Sequence, residues 1–586
     1  MMRIDTLFRP LPVLAAMLMA GTAPVAFAQV QADAPPPSES AMVNLVRLLV
    51  QQGVLKADAG QALLQQAEAE AAQARTLRAA QTPAQTAGGD LPPAAAGAIR
   101  VPYIPQSVRD QIKSELRTEV MQEARQGNWA APDSAAPEWT RRVTLYGDIR
   151  VRSQSELYSK ANATGLFDYA AFNNIAPFDY LNARDLPFLN STQDRWNRAN
   201  FRARLGVRAE VTPGVVADVR LATGDDNSPV STNAILGGGL TKRGIWLDRA
   251  SITVKPFDSL SASFGRFANP FADKAQLLFD DDLNFDGVAA EANIGKLAGL
   301  GFDLTLRGGA FPLDFGSANY PVLNPVKRSG LDRYLFSAEL AAGVKLSGVR
   351  LDAAVAYHDF AKMQGQLSDS CNLDQTAECS TDQRQPLFLR KGNTLSPLRS
   401  IDAASIGQEQ ILGYTFAYRV LNANASVSIP VMEDVGVTLY GAYAKNLAFK
   451  QGDICRNGQA GQPFNNGALV TGGDPVNFCG VTTPLRFIGG DTGYTFGARL
   501  GHDIVRKAGS WSAMAGYRYL ESDATLDAFT DSDFHLGGTN AKGYIIGAEF
   551  APRNGLTLGA RWLSANQIDG DPLAIDVLQV DLGVEF

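Results

Sequence analysis

The amino-acid sequence predicts an all-β transmembrane antiparallel barrel of about 16 strands, preceded by a short α-helical periplasmic segment. Three observations support this fold class. Apolar and polar residues alternate along many segments after residue 141, and the connections between these segments are alternately long and short. Beyond the N-terminus there is no uninterrupted apolar run of about 18 residues, the length that a membrane-spanning helix requires. Period-two alternation is typical of strands with two different faces.

The first 28 residues have the pattern of a secretory signal peptide. Arg3 and Arg9 precede an apolar stretch over residues 11–20, and Ala26-Phe27-Ala28 is a small-x-small cleavage site. A membrane anchor is the alternative, but the apolar stretch is short for a span. We therefore expect export, with Gln29 as the first residue of the mature chain.

Residues 29–135 are predicted to be a periplasmic region of helices and flexible linkers. Between residues 40 and 77 apolar residues recur at helical spacing and lead into an Ala-, Gln- and Glu-rich stretch, which favours a short coiled coil. Residues 81–99 are rich in Ala, Pro and Gly, which indicates a flexible segment. A second helix, a packed cap or spacer, is predicted over residues 105–125. The barrel is assigned to residues 136–586.

The barrel segments are defined by alternation. In one of the clearest, Phe201, Ala203 and Leu205 fall on one face, and Arg202 and Arg204 fall on the other. Segments 286–293 and 410–428 fit the pattern least well, which leaves about 14 or 18 strands as alternatives. The predicted strands cover residues 142–152, 199–211, 214–223, 244–255, 259–267, 286–293, 299–311, 332–345, 348–360, 410–428, 434–447, 491–505, 510–522, 542–552, 555–566 and 576–586.

The connections predict the orientation of the barrel. Outer-membrane barrels have short periplasmic turns and long extracellular loops, so an even strand count places both barrel ends in the periplasm. The last segment must pair with the first, because a barrel in lipid leaves no open edge. We expect the polar face of the last strand to lie beside basic residues of the first, which brings together Gln579, Asp581 and Glu585 with Arg142, Arg150 and Arg152.

Inward positions of the first predicted strands carry many arginines, and a barrel of about 16 strands is wide enough for an aqueous channel. Seven arginines at these positions outnumber three neighbouring acids. We therefore expect part of their positive charge to remain uncompensated unless a loop supplies further carboxylates. We call this set the basic wall; it comprises Arg150, Arg152, Arg202, Arg204, Arg208, Arg220 and Arg249, and the neighbouring acids are Asp148, Asp218 and Glu210.

Three adjacent carboxylates, Asp280, Asp281 and Asp282, lie between Leu and Phe residues in the third long connection. If this loop folds into the lumen, the carboxylates face the basic wall and form a pore constriction with a transverse electric field. Two alternatives remain open. Clustered Asp residues suit Ca²⁺, although the spacing is not that of an EF-hand, and a loop outside the lumen would leave the carboxylates solvated.

The cysteines lie in two long connections. An exported chain meets an oxidising compartment, which favours disulfides between Cys371 and Cys379 and between Cys455 and Cys479. A zinc site is the alternative, but the closely spaced CxxC pairs typical of one are absent from the sequence.

Several function classes are not indicated. With 53 basic and 60 acidic residues the net charge is -7, which argues against nucleic-acid binding. The histidines His358, His502 and His535 lie in different segments without a nucleophile motif. The glycine cluster over residues 237–239 is not followed by a Lys-Ser or Lys-Thr pair, as a phosphate-binding loop would be. We predict no catalytic residue, no metal and no cofactor.

The chain resembles a family of outer-membrane proteins called putative porins, over essentially the whole mature chain and most densely over residues 100–290. The resemblance implies an outer-membrane channel of a Gram-negative bacterium, with lipid and small hydrophilic solutes as partners. By analogy with porins it implies a trimer and a lumenal third loop, and the terminal Phe586 resembles the signal read by the assembly machinery. The resemblance is carried by Val101-Pro102-Tyr103-Ile104-Pro105, Pro137-Glu138-Trp139, Gly147-Asp148-Ile149-Arg150-Val151-Arg152, Arg220-Leu221-Ala222-Thr223-Gly224, Asn227-Ser228-Pro229-Val230-Ser231-Thr232-Asn233, Leu247-Asp248-Arg249-Ala250, Phe264-Gly265-Arg266, Asn269-Pro270-Phe271 and Phe279-Asp280-Asp281-Asp282-Leu283-Asn284-Phe285-Asp286-Gly287-Val288.

The expected function is therefore passive diffusion of small hydrophilic solutes or ions through a water-filled barrel with a charged constriction. Two alternatives differ in class. The basic wall would suit a substrate-selective channel for anions, and residues 40–125 would suit a structural tether to the cell wall or to a periplasmic partner. An enzyme is not indicated.

Overall fold

The computed structural model describes residues 141–586, except 174–176, 180–185, 226–227, 273–274, 324, 458–468 and 479–480. The expected signal peptide, coiled coil and second N-terminal helix lie outside the described residues. Within the described part of the chain, no helix is both long enough and apolar enough to cross a membrane.

Sixteen long strands among the described residues form one closed antiparallel barrel, as the sequence predicts. Each strand pairs with its neighbours in the chain, and the last pairs with the first. In chain order, β1 to β16 are Val143–Tyr158, Arg195–Thr212, Val215–Thr223, Ile245–Phe257, Leu260–Ala268, Asn284–Asn293, Asp303–Asp314, Arg333–Leu346, Val349–Ala361, Tyr418–Met432, Val435–Asn446, Thr492–Gly501, Trp511–Leu520, Ala541–Arg553, Leu556–Gln567 and Ala574–Glu585.

The seam between β1 and β16 closes the barrel, which confirms the predicted pairing of the last strand with the first. Arg152 lies opposite Asp581, and the backbones of Gly147 and Phe586 exchange two hydrogen bonds of 3.0 Å. A Cβ atom at position 147 would lie 2.9 Å from the Phe586 ring, so glycine leaves room for the terminal aromatic side chain. One detail of the prediction is wrong: Glu585 lies opposite Asp148 in the ladder and bonds to Arg506, in the turn that follows β12.

The alternation of the sequence corresponds to the two faces of the barrel. Leu205, Val219 and Phe264 are 45–47% exposed on the outside, where a membrane would cover them. Arg152 and Arg220, which alternate with such residues, are at most 5% exposed in the interior. Period two therefore separates an apolar outer surface from a charged lumen.

One predicted strand started too early. The sequence predicts a strand over residues 410–428, whereas β10 begins at Tyr418. Leu412–Tyr414 alternates in the same way but pairs with Leu395–Pro397 inside the long loop between β9 and β10. Alternation alone does not distinguish a strand in the wall from a strand in a loop.

The long loops contain short elements of their own and pack together inside and above the barrel. Their core includes Phe172, Val230, Leu278, Leu395 and Tyr414, each at most 1% exposed. Short helices and 3₁₀ turns cover Tyr169–Phe172, Ile294–Leu297, Asp382–Arg384, Asp453–Asn457, Asp527–Phe529 and Phe534–Leu536. Short strands cover Phe178–Asp179, Ala234–Ile235, Ser370–Cys371, Leu395–Pro397, Ser400–Ile401, Glu409–Gln410, Leu412–Tyr414, Leu469–Phe478 and Val481–Phe487.

Candidate functional site

The residues of the basic wall lie side by side on the inner faces of β1 to β4. Cross-strand pairing places Arg150 opposite Arg202, and Arg220 opposite Arg249. Because adjacent strands are about 4.8 Å apart, the guanidinium groups form a continuous positive surface over one side of the lumen. The strands carry, in order, Arg150 and Arg152; Arg202, Arg204 and Arg208; Arg220; and Arg249.

An irregularity in β4 adds an acid to this surface. Arg220 pairs with Arg249, but the next residue, Leu221, pairs with Leu247, which leaves Asp248 as the extra residue of a β-bulge. The bulge turns two consecutive charged residues into the lumen. Asp248 is consequently buried and accepts a hydrogen bond from Arg220.

The loop over residues 269–283, which connects β5 to β6, crosses the lumen. Its Ala272 amide donates to Glu339 of β8 over 3.0 Å, and its Ala275 carbonyl accepts from Arg518 of β13 over 3.4 Å. At its far end Asp282 contacts β2. These contacts with three sides of the barrel place the loop inside the pore.

Aromatic packing holds this loop in place. The ring of Phe279 lies 5.3 Å from that of Phe285 and 5.2 Å from that of His358, both nearly perpendicular to it. Phe271 packs edge-on to Phe311 at 5.9 Å. The wall of β6, β7 and β9 thus provides an apolar platform, which explains why Leu and Phe flank the carboxylates in the sequence.

The three adjacent carboxylates of this loop have three different environments. Asp282 accepts hydrogen bonds from Arg204 at 3.0 Å and Arg202 at 3.4 Å. Burial opposes its ionisation, but the two arginines outweigh burial and hold the pKa of Asp282 below its ordinary value. Asp281 is exposed to the lumen.

Asp280 joins two loops. Its carboxyl accepts from the amides of Asp282 at 2.8 Å and Ser532 at 2.7 Å, and its own amide donates to Phe529 at 2.9 Å. Burial, followed by repulsion from Asp531 and Asp282, raises the pKa of Asp280 to about 8. Asp280 therefore acts as a connector between loops.

The loop over residues 521–540, between β13 and β14, also enters the lumen. Its Asp531 accepts a hydrogen bond of 2.9 Å from Arg518, and its Asp533 bonds to Arg152 at 2.9 Å and to Arg561. Burial opposes the ionisation of Asp533, yet Arg152 and Arg561 hold its pKa below the ordinary value. This loop brings two more acids to the basic side of the lumen.

Acids from the barrel strands and from the two lumenal loops together balance most of the basic wall. Asp148 pairs with Arg202 and Arg204. Further pairs join the other wall residues to acids: Arg152 with Asp533 and Asp581, Arg208 with Asp218, and Arg220 with Asp248. Arg150 and Arg249 differ, because within the described residues their hydrogen-bond partners are the amides of Asn233 and Asn284.

A cavity of about 440 Å³ lies where these charges meet. Its lining, within the described residues, includes seven arginines and seven carboxylates. A larger cavity of about 1640 Å³ reaches the short turns at the other end of the barrel and shares with the first Gln276, Asp281, Asp531, Glu549 and Arg561. Water-sized space thus continues from the charged zone towards the periplasmic end.

Sequence reasoning missed several members of this site, including Asp531, Asp533, Arg561 and Glu549. A signal was present for the first two: the 521–540 loop carries acids between Leu and Phe residues, as residues 277–285 do. Arg561 and Glu549 alternate correctly for inward positions, but their strands lie far in sequence from the basic wall. Within the described residues, no group of three or more His, Cys, Asp or Glu side chains is arranged to hold a metal ion.

Cys371, Cys379 and Cys455 are not among the residues that line the charged cavity. Cys371 and Cys379 form a disulfide within the loop between β9 and β10, as expected from the sequence. Cys455 is also disulfide-bonded, and its expected partner Cys479 lies outside the described residues. Near the first disulfide, Asp382 accepts from the Cys379 amide at 3.0 Å and pairs with Arg399 at 2.6 Å, which stabilises the loop.

Comparison with solved structures finds barrels of the outer membrane. OprB of Pseudomonas putida at high pH has a TM-score of 0.39 and 11% identity, covering 76% of this chain and 95% of that one. OmpT of Vibrio cholerae with loop L8 deleted has a TM-score of 0.35 and 9% identity, covering 76% and 100%. The outer membrane channel DcaP of Acinetobacter baumannii has a TM-score of 0.34 and 10% identity, covering 76% and 97%. With TM-scores this low, these likenesses carry no weight in assigning the chain to a family.

The assignment rests on a family model instead. No curated protein sequence matches the chain. The family model described as "Putative porin" matches residues 39–586, which include the whole barrel and much of the N-terminal region. The chain belongs to the putative porin family.

Proposed function

We propose that this outer-membrane porin is a passive diffusion channel for small hydrophilic solutes and ions, with a charged constriction. Its family points to a channel rather than an enzyme. The single observation that carries the proposal is the cavity of about 440 Å³ between the basic wall and the acids of two lumenal loops. No bond is made or broken during passage.

Solutes respond to the electric field between the positive and the negative groups of the constriction. The basic wall lies on β1 to β4, while Asp280, Asp281 and Asp282 belong to a loop that crosses from the other side. Opposite charges on facing sides of a narrow, wet opening create a field across the path of the solute. This field orients dipolar solutes and makes the passage of an ion depend on its charge.

The first prediction concerns Asp280, Asp281 and Asp282. Replacing all three by Asn leaves the basic wall intact and, at neutral pH, removes negative charge contributed by Asp281 and Asp282, because the raised pKa of Asp280, about 8, keeps that carboxyl largely protonated there. Selectivity should therefore move towards anions. The measurement is the reversal potential of single channels in a salt gradient. An unchanged reversal potential would contradict the proposal that these carboxylates form a constriction.

Two further variants sharpen this experiment. Asp281→Asn alone should produce part of the shift, because Asp281 is exposed and lines the cavity, where it accepts a hydrogen bond from Gln276 of the same loop. Asp258→Asn is a matched control: Asp258 lies in the short turn between β4 and β5, outside the lumen, and should leave the reversal potential unchanged.

The periplasmic role of the N-terminal region is also part of the proposal. Residues 40–125 would extend from the periplasmic end of β1 as a spacer or as a tether to the cell wall. Deleting them should leave single-channel conductance unchanged, because the charged residues that line the cavity, as far as the described part of the chain shows, belong to the barrel portion. Release of the porin from sedimented cell wall on the same deletion would favour the tether; retention would contradict it.

Assembly in the membrane completes the proposal. Phe586, which directly follows the last strand β16, is exposed, and this suits recognition by the outer-membrane assembly machinery. A trimer is proposed by analogy with porins and is tested by the mass of the detergent-solubilised complex.

A further inference from the structure

The basic wall contains two pairs of directly opposed arginines, Arg150 with Arg202 and Arg220 with Arg249. Arg220 of β3 and Arg249 of β4 are directly opposite each other in the ladder, on the lumenal face. Like charges at directly opposed positions are destabilising unless neighbouring groups offset the repulsion. The groups around this pair therefore indicate which kind of solute it could bind.

The neighbours offset only part of the charge. Asp248 bonds to the Nε atom of Arg220, and Asn284 connects Asp248, at 2.7 Å, to the Nε atom of Arg249, at 2.8 Å. One carboxylate thus serves two guanidinium groups. A net positive charge remains at this point of the wall.

The arginine pair also has an N–H donor that makes no hydrogen bond within the described residues. Arg220 is only 5% exposed, and its Nη2 atom is buried without a hydrogen-bond partner within the described residues. A buried guanidinium donor without an acceptor costs free energy, whereas an arriving anionic oxygen would satisfy it. Both arginines line the cavity of about 440 Å³, so a small solute in the cavity lies next to them.

The rest of the lining limits the kind of anion. The cavity contains as many carboxylates as arginines within the described residues, and Asp281, Asp531 and Glu549 are among them. A solute with several negative charges would be repelled by these acids. A solute with a single carboxylate uses the local excess of positive charge without that cost.

We propose that Arg220 and Arg249 form a carboxylate-binding subsite in the lumen, which selects small solutes carrying one carboxylate. The subsite rests on the proposed channel function, because it lies on the path through the constriction. The carboxylate would bind through charge-assisted hydrogen bonds from both guanidinium groups, while Asp248 and Asn284 hold these groups in place. The solute is either a monoanion or a zwitterion, since both present the same carboxylate.

The test is block of single-channel current by added solute, with sodium gluconate as the monoanion and glycine as the zwitterion. The wild-type channel should show saturable block by at least one of them. Arg249→Gln should raise the apparent Kd for block about tenfold or more while ion conductance persists. Arg220→Gln provides a second variant at the same subsite, and the shift in gel mobility on heating shows that each barrel is folded.

Arg208→Gln is the matched control. Arg208 belongs to the same wall, but its side chain is 56% exposed and pairs with Asp218 outside the cavity lining. Its replacement should change the apparent Kd less than about twofold. An equal shift in all three variants would overturn the subsite, because it would reflect only the overall lumenal potential.

Two other results separate the subsite from the channel. Normal conductance without block by either solute, or block unaffected by Arg249→Gln and Arg220→Gln, overturns the subsite and leaves the porin function standing. Absence of conductance contradicts the porin function. Calorimetric titration of the detergent-solubilised barrel with gluconate and with glycine then decides the subsite independently: binding that is lost in Arg249→Gln supports it, and absence of binding overturns it.

Discussion

Arg152→Ala is expected to release the 521–540 loop from the lumen wall and to raise single-channel conductance. Arg152 is 1% exposed and joins three elements: its own strand β1, Asp581 of β16 through two hydrogen bonds of 2.7 and 2.9 Å, and Asp533 of the loop at 2.9 Å. Removing one partner of a buried ion pair costs about 3–5 kcal/mol, because charges are left buried and uncompensated. In this variant those charges are Asp533 and Asp581.

The loop should respond more than the barrel. Backbone pairing between β1 and β16 persists without the side chain, over the register from Asp148 to Tyr158. The loop has Arg561 as a remaining contact for Asp533. Limited proteolysis within residues 521–540, together with single-channel conductance, measures the effect.

Arg208→Ala is the control, because its partly exposed pair with Asp218 contributes less than about 1 kcal/mol. Arg152→Lys keeps the charge but not the bidentate geometry and should fall between wild type and Arg152→Ala. Unchanged conductance and protease resistance in Arg152→Ala would show that the loop is held by other contacts.

The contact between the two lumenal loops is expected to weaken as pH rises, and Asp280 is the group responsible. Burial, followed by repulsion from Asp531 and Asp282, raises the pKa of this carboxyl to about 8. When folding raises the pKa of a carboxyl, the folded contact is most stable below the ordinary pKa of that group. This stability is lost as pH rises through the raised pKa. The window therefore runs from about pH 4 to about pH 8.

Other buried groups also change their protonation state in this pH range. Burial lowers the pKa of Lys391 to about 7. This shift has the opposite effect on stability: a base with a lowered pKa stabilises the fold less as pH falls through its pKa in the folded state. Burial also raises the pKa of Asp527 to about 7. The informative quantity is hence the difference between wild type and Asp280→Asn, in which these contributions cancel.

Asp280→Asn keeps an oxygen that accepts from the Ser532 amide but carries no charge. Relative to this variant, wild type should become more sensitive to proteolysis in the 521–540 loop, and noisier in single-channel current, between pH 5 and pH 9. The measurement is the ratio of cleavage rates across that range. A pH-independent ratio would contradict the assigned role of Asp280.

Much of this architecture follows from local patterns. Alternation is a property of neighbouring residues, so it correctly placed Arg202 and Arg204 on the inner face and Leu205 on the outer face. The pairing of β1 with β16 follows because a barrel in lipid cannot leave an edge. These features require no knowledge of distant contacts.

Features that depend on distant contacts were not available from the sequence. The contact of Asp533 with Arg152 joins positions 381 residues apart, and no local pattern specifies it. The bulge at Asp248 breaks the alternation at a single residue, so strict period two would place Asp248 and Arg249 on opposite faces. The loop strand at Leu412–Tyr414 extended a predicted barrel strand because it alternates in the same way.

The measurement that tests the account most directly is the reversal potential of single channels in a planar bilayer under a salt gradient, for wild type and for the variant with Asn at positions 280, 281 and 282. The account predicts stepwise ion conductance for both proteins and a shift towards anion selectivity in the variant. Absence of conductance steps in wild type, or identical reversal potentials for the two proteins, would contradict it.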